Sequence, residues 1–240
     1  MAHYDKKATN SYALGTQATF YLLEARPDLA LRIYISPKQT RDATYDKLVE
    51  KARSLHLPVI ENNAKIFKEL SDKDNVMAIG EFRKFEGRLE TKNNHLVLVN
   101  PSNMGNLGTI LRTAVGFGIH DVAIIGVSAD AFDPKVVRAS MGAIFFLNLA
   151  FFPDFESYRS VYPNHFNYPF MLQAKTMLSD AEIQAPWSLI FGNEAKGLDA
   201  SFLEVGTPLL IPLTNNVDSL NLDNAVAIGV YAFTQQAKGK

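Results

Sequence analysis

The sequence predicts an α/β protein with a parallel sheet in its C-terminal part and a smaller α/β domain in front of it. Three observations predict this. Short apolar runs alternate with stretches of helical spacing along the chain, a pattern that implies parallel strands covered on both faces. The texture changes near residue 93, after the charged and apolar-poor stretch Glu81 to Asn94. A turn rich in glycine and asparagine, Asn100 to Gly108, directly follows the strand candidate His95–Val99, where ligands meet the strand ends of such sheets.

Taken in order, Leu14, Ala18, Leu22 and Ala25 repeat at helical spacing after Asn10-Ser11, and Pro27 ends the pattern. Leu31 to Ile35 alternates as a strand does. Tyr45, Leu48, Val49, Ala52 and Leu55 form a second helical stripe, Val59-Ile60 a short strand, Ile66, Phe67 and Leu70 a third helix, and Val76 to Ile79 another strand. The boundary is placed near 93, giving domains 1–93 and 94–240. The second part reads as strand 95–99, a helical run to Gly118, strand 122–125 and a helix opened by Asp133-Pro134, proline being tolerated at a first helical position. Strands follow at 145–152, 170–172, 188–191 and 209–211, then a last helix from about 220 to 236.

Composition narrows the chemistry. The 240 residues contain no cysteine, which excludes disulfides and thiolate catalysis. The five histidines form no metal-binding spacing, so no metal is expected. No run approaches the roughly 18 apolar residues of a membrane span, and the start has no apolar core of a secretory signal; a cytoplasmic protein without membrane contact is expected. The net charge is −1, but residues 1–94 carry 16 Lys+Arg against 13 Asp+Glu and the rest 8 against 12. The mildly basic first part suits phosphate contact. Arg32, Lys38, Arg41, Lys47, Lys51 and Arg53 are its candidates, each equally readable as part of a solvated face.

Common nucleotide signatures fail. The turn after His95–Val99 offers Gly105 and Gly108 without the third glycine of a dinucleotide fingerprint. Gly192 and Gly197 have P-loop spacing, but Leu198-Asp199 follow in place of the lysine and hydroxyl pair. No G-x-S-x-G elbow occurs.

Three blocks remain: Asn100–Ala114, with Asn106-x-Gly108-x-x-x-Arg112; Ile190–Leu198, with Gly192-x-Glu194-x-x-Gly197; and Leu210–Gly229, with Ile211-Pro212 and then Ser219-Leu220-Asn221. In this order they resemble the three signature motifs of the SpoU (TrmH-like) RNA 2′-O-ribose methyltransferases of the SPOUT superfamily. Pro134–Gly142 resembles a further family segment. The resemblance covers roughly residues 95–236, and the N-terminal part is similar, more weakly, to the ribosomal-protein-like substrate-binding domain of many members. Two positions depart from the family pattern: Asp74-Asn75 stand where a His-Gln-Gly-type stretch is common, and Asn215-Asn216 where a glycine is common.

The resemblance implies a C-terminal domain with a deep trefoil knot, a homodimer, S-adenosylmethionine as cofactor, and RNA as partner, ribosomal or transfer RNA. It assigns catalytic roles to Arg112, Glu194, Ser219, Asn221 and Asn106, and cofactor contacts to Gly192, Ile211 and Leu220, with Asn193 a weaker candidate. Arginine is a poor free base, its pKa exceeding about 12. A role for Arg112 in holding the target's phosphate and stabilising a forming alkoxide is therefore preferred over proton abstraction. The plainer readings stand beside these. Asn106 and Ser219 are possible helix caps, Glu194 a loop acid, Gly108 a turn glycine, Gly197 a loop former, and Ile211 and Leu220 core. Arg138 and Ser140 are RNA contacts or a solvated helix face. The rival functions are a non-enzymatic RNA-binding relative that keeps the fold and a nicotinamide-dependent dehydrogenase.

Overall fold

The computed structural model describes residues 4–71, 75–214 and 216–236; Asp74 and Asn215 lie outside them. The chain divides into two compact units, Met1–Phe85 with Asp130–Phe146, and Glu86–Ala129 with Leu147–Lys240.

The first unit opens with strand β1 (Asn10–Leu14), then α1 (Thr16–Ala25), β2 (Ala30–Ile35), α2 (Ala43–Ser54), β3 (Val59–Glu61), α3 (Ala64–Leu70) and β4 (Ala78–Arg83). Its sheet runs β1-β4-β2-β3, antiparallel except for β2 with β3. The helical stripe beginning at Leu14 belongs to two elements. Asn10 to Leu14 is a strand, and Gly15, at φ 106, turns the chain into α1. Only glycine takes that φ without steric cost. Ala18 and Leu22 still face the core, and Gly80 of β4 leaves room for Thr19 and Leu22 to approach. On another part of the sheet, Leu14, Tyr34 and Ile79 pack with Ile66 and Val76. Asp42 caps α2 by accepting from the Thr44 and Tyr45 N–H groups.

The second unit begins beyond Phe85 with β5 (His95–Val99), α4 (Met104–Gly116) and β6 (Asp121–Ile125). The chain then returns to the first unit for α5 (Pro134–Ala139) and a 3-10 turn at Ala143–Phe146. It completes the second unit with β7 (Asn148–Phe152), α6 (Phe155–Val161), β8 (Phe166–Pro169), β9 (Thr176–Met177), β10 (Trp187–Phe191), β11 (Leu209–Leu210) and α7 (Leu222–Gln236). Five strands form one parallel sheet in the order β7-β6-β5-β10-β8. β5, β6 and β10 are buried nearly throughout, as strands covered on both faces must be.

The sequence placed the division near residue 93 and kept residues 94–240 together. Contacts put it at 85/86 and group 130–146 with the first unit. The charged stretch is not a free tether. β4 runs on to Arg83 with Phe82 fully buried, Leu89 joins the second core, and the Gly87 N–H donates to the Leu149 carbonyl at 2.7 Å. The strand expected over 145–152 is a 3-10 turn followed by β7, and that expected at 170–172 lies upstream as β8. β8 ends in Pro169 at a sheet edge, one of the few sheet positions where proline is accepted.

Candidate active site

The sheet order places the site. The chain runs β5, β6, β7 in one direction, then crosses to the other side of β5, where it lays down the edge strand β8 and finally β10 between β8 and β5. The order reverses between β5 and β10, and open α/β sheets bind ligands outside the strand ends at such a point. The segments leaving these two ends are Asn100–Asn103 and Gly192–Gly197.

A carboxylate ties them together. Glu194 accepts from the Ser102 N–H (3.0 Å), the Ser102 hydroxyl (2.8 Å) and the Asn103 N–H (3.0 Å). Burial alone would raise its proton affinity, but these hydrogen bonds outweigh it and hold the carboxyl below the usual range. The acceptor also sits at the start of α4, where negative charge is favoured. Asn193 braces the same corner: its amide donates to the Asn100 carbonyl (2.9 Å) and the Ser102 hydroxyl (3.2 Å), and its oxygen accepts from the Ala195 and Lys196 N–H groups. The loop closes on itself through reciprocal backbone bonds between Asn193 and Gly197. Gly192 must be glycine, since a Cβ there would lie 2.2 Å from the Gly197 carbonyl carbon.

Next to this loop lies a cavity of about 230 Å³. Gly192–Leu198, Leu209–Ile211, Ser219, Leu220 and the stacked rings of Phe170 and Phe191 line it. Thus five of the eight residues expected from the sequence, Glu194, Ser219, Gly192, Ile211 and Leu220, share one cavity. Asn106 and Asn221 are joined to each other instead, amide to carbonyl oxygen at 3.3 Å, where α4 meets α7. Arg112 is exposed on α4 and is not among the lining residues.

The capping roles fall differently from the sequence reading. Asn103 caps α4 by accepting from the Asn106 N–H at 3.0 Å, so Asn106 is a residue of the first turn. At α7 it is Asn221, not Ser219, whose side chain accepts from the Leu222 N–H and whose carbonyl accepts from the Ala225 N–H. Ser219 is exposed in the cavity wall. Ser102, Asn103 and Asn100 were not singled out from the sequence. Their signal was present in the polar run Asn100-Pro-Ser-Asn103 at a strand-to-helix turn. Asn100 adopts φ 53, and its side chain accepts from the Val127 N–H at 2.9 Å. Arg138 and Ser140 belong to the first unit. Arg138 donates to Asn75 at 3.1 Å, and Ser140 is buried. Of the basic candidates, Arg32 pairs with Glu81 and Arg41 with Glu61, each at 3.2 Å.

A cavity at the switch point of a parallel sheet, with an aromatic wall and with Glu194 and Lys196 in its rim, marks an open-sheet α/β protein with a ligand-sized site at its strand ends. The chain belongs to the SpoU rRNA methylase family, whose model matches residues 93–231. It is 33% identical over 147 residues to an uncharacterised tRNA/rRNA methyltransferase of Synechocystis, covering 59% of this chain and 53% of that protein. It is also 33% identical over 152 residues to the 23S rRNA (guanosine(2553)-2′-O)-methyltransferase RlmP of Bacillus subtilis, covering 61% and 60%. The chain thus matches only about half to three-fifths of the length of these relatives. Its fold is that of the SpoU methyltransferase AviRb from Streptomyces viridochromogenes, solved with AdoMet, with a TM-score of 0.83 at 20% identity over 97% of this chain and 92% of that one. Among the described residues no helix is long and apolar enough to cross a membrane, and no cluster of side chains is arranged to hold a metal ion.

Proposed function

We propose that this protein transfers a methyl group from S-adenosylmethionine to a ribose 2′-hydroxyl in structured RNA, ribosomal RNA before transfer RNA. One observation carries the reading: the second and third sequence blocks line one cavity at the switch point, and Glu194 and the Asn106–Asn221 bond tie the first block to them. One named relative is a 23S rRNA 2′-O-methyltransferase and the other an uncharacterised tRNA/rRNA methyltransferase, and family membership favours this reading over a nicotinamide dehydrogenase.

The residues fit the donor. Phe170, Phe191 and Leu220 offer an apolar wall to an adenine ring, and Gly192 and Ile211, which line the same cavity, would bring backbone groups to the donor. When bound, the donor supplies an electrophilic methyl on sulfur. Its methyl would pass to the hydroxyl oxygen, with the sulfur as leaving group. The protein's task is to hold the hydroxyl in line and to handle its proton. Ser219 and Asn221 orient the hydroxyl. Arg112 holds the target's phosphate and stabilises developing negative charge, and a phosphate oxygen takes the proton. Glu194 and Asn193 act indirectly by fixing the turn from which α4 starts.

In the same reading the first unit grips RNA, the C-terminal chain forms a trefoil knot, and two copies associate in the cytoplasm. Apolar side chains exposed on α4 (Met104), at its C-terminal cap (Phe117) and on α7 (Ile228 and Tyr231) support the homodimer. Calorimetric titration with S-adenosylmethionine tests the reading, together with mapping of ribose methylation in RNA from cells with and without the gene. Saturable binding and one methylation site lost with the gene are expected. No binding of the donor, or binding of reduced nicotinamide cofactor in its place, overturns the reading.

A further inference from the structure

Away from the cavity, at the opposite ends of β5 and β10, lies a buried chain of four side chains that the methyl-transfer chemistry does not use. His95 opens β5 and is fully buried, Ser188 faces it in register on β10, Tyr158 comes from α6, and His165 precedes β8. The Nε2 of His95 lies 2.9 Å from the Glu90 carbonyl, and that of His165 lies 3.1 Å from the Thr91 carbonyl. Carbonyl oxygens only accept, so both Nε2 atoms carry hydrogen, and in a neutral ring each Nδ1 is then a bare acceptor.

Between the two Nδ1 atoms run three contacts. His95 Nδ1 is 2.8 Å from the Tyr158 hydroxyl, that hydroxyl is 2.6 Å from Ser188 Oγ, and Ser188 Oγ is 2.9 Å from His165 Nδ1. The two hydroxyls supply two hydrogens for three contacts. With both rings neutral, one contact sets lone pair against lone pair in a buried place, where an unmade hydrogen bond is costly. A single added proton removes the deficit. His165 Nδ1–H then donates to Ser188, Ser188 to Tyr158, and Tyr158 to His95 Nδ1. The carbonyl of Trp187 also faces the His165 ring, which favours the charge on that side.

We propose that His95, Tyr158, Ser188 and His165 form a proton-binding site that takes up one proton, seated on His165, and refuses a second. Refusal follows from the rings themselves, whose centroids stand 4.2 Å apart, so a second charge meets the first at close range. The groups facing the pair define its electrostatics. The Asp121 carboxylate on β6 attracts positive charge on either ring, and is itself held by the Glu90 N–H, Asn93 and Asn148. Tyr162 donates to the Leu89 carbonyl, with Arg88 and the Glu90 side chain acting on it. Burial opposes charge on both rings, most on His95, whose pKa falls to about 4. Burial therefore leaves the site empty at neutral pH, and it fills only as pH falls below the ordinary histidine range. Filling ties β5 to β10, the two strands that deliver the active-site turns at their far ends.

Nitrogen-15 NMR of the histidine rings in the whole protein tests this. On acidification within the folded range, His165 is expected to show both ring N–H groups while His95 keeps only Nε2–H. Ser188→Ala removes the acceptor for the new proton, and Tyr158→Phe removes the deficit in the neutral state. Either substitution is expected to lower the proton affinity of His165 by about tenfold, one pH unit in its midpoint, and the second serves where the first fails to fold. Both rings staying neutral until the protein unfolds, both charging together, or an unchanged His165 midpoint in a folded variant overturns the proposal.

Discussion

At the scale of single residues the site separates groups that touch the cavity from groups that hold others in place. Arg112 is exposed on α4 and lies outside the cavity lining. Arg112→Ala is therefore expected to abolish methyl transfer with donor affinity, read by calorimetry, nearly unchanged; equal loss of both would assign it a structural role. Glu194 behaves differently, because its charge is matched to two N–H groups at the start of α4. Its proton affinity in the folded protein is below that of the unfolded chain, so its stabilising contribution is present above the ordinary carboxylate range and fades as pH falls through the folded value. Glu194→Gln keeps the shape and removes the charge. A melting temperature lowered at pH 7 and converging with the parent's at low pH is expected; a gap independent of pH would show that shape alone matters.

At the scale of elements, the turn after β10 is the most constrained piece of backbone. A Cβ at position 192 would lie between 2.2 and 2.4 Å from three backbone atoms of Gly197 and Leu198, and backbone cannot give way as a flexible side chain can. Gly192→Ala is expected to destabilise the protein by more than the roughly 1–3 kcal/mol of ordinary overpacking and to remove donor binding. A variant with parental stability and affinity would show that the turn is free to open. The helix starts were only partly legible. Asn106 and Ser219 are as good capping types as Asn103 and Asn221, and spacing cannot choose among neighbours two or three residues apart. The elements missed or displaced, α6, β8 and β9, are short, and tyrosines, an asparagine and a proline interrupt the first two, so their periodicity is weak.

At the scale of the whole molecule, two expectations depend on how distant segments pack. Residues 130–146 belong with 1–85, and there Val136, Val137, Ile144 and Phe145 are buried. Cutting the chain at 93 would strip their partners. Scanning calorimetry of a 94–240 fragment is expected to show a lowered or lost transition, while a fragment as stable as the parent would overturn this division. The second expectation concerns acid. Burial holds His95 at about 4 instead of 6.5 and lowers His165 as well, so the unfolded chain binds protons that the folded state refuses. Stability should therefore fall as pH drops from about 6.5 towards 4, by on the order of 3 kcal/mol for His95 alone. Urea unfolding at stepped pH checks this, and His95→Asn should flatten the slope.

The class of fold, the family and the three blocks at the site were all legible along the chain, because alternating apolar periods and the residue types of active-site turns are local properties. Packing was needed to show where the units divide, that Glu194 binds the turn before α4, that Arg112 stands outside the cavity wall, and that two histidines without any recognisable spacing share one buried chain. They depend on which segments become neighbours in the packed core, over separations of 23 to 92 positions for the contacts of Glu194 and His165, and such neighbours leave no periodic trace along the chain.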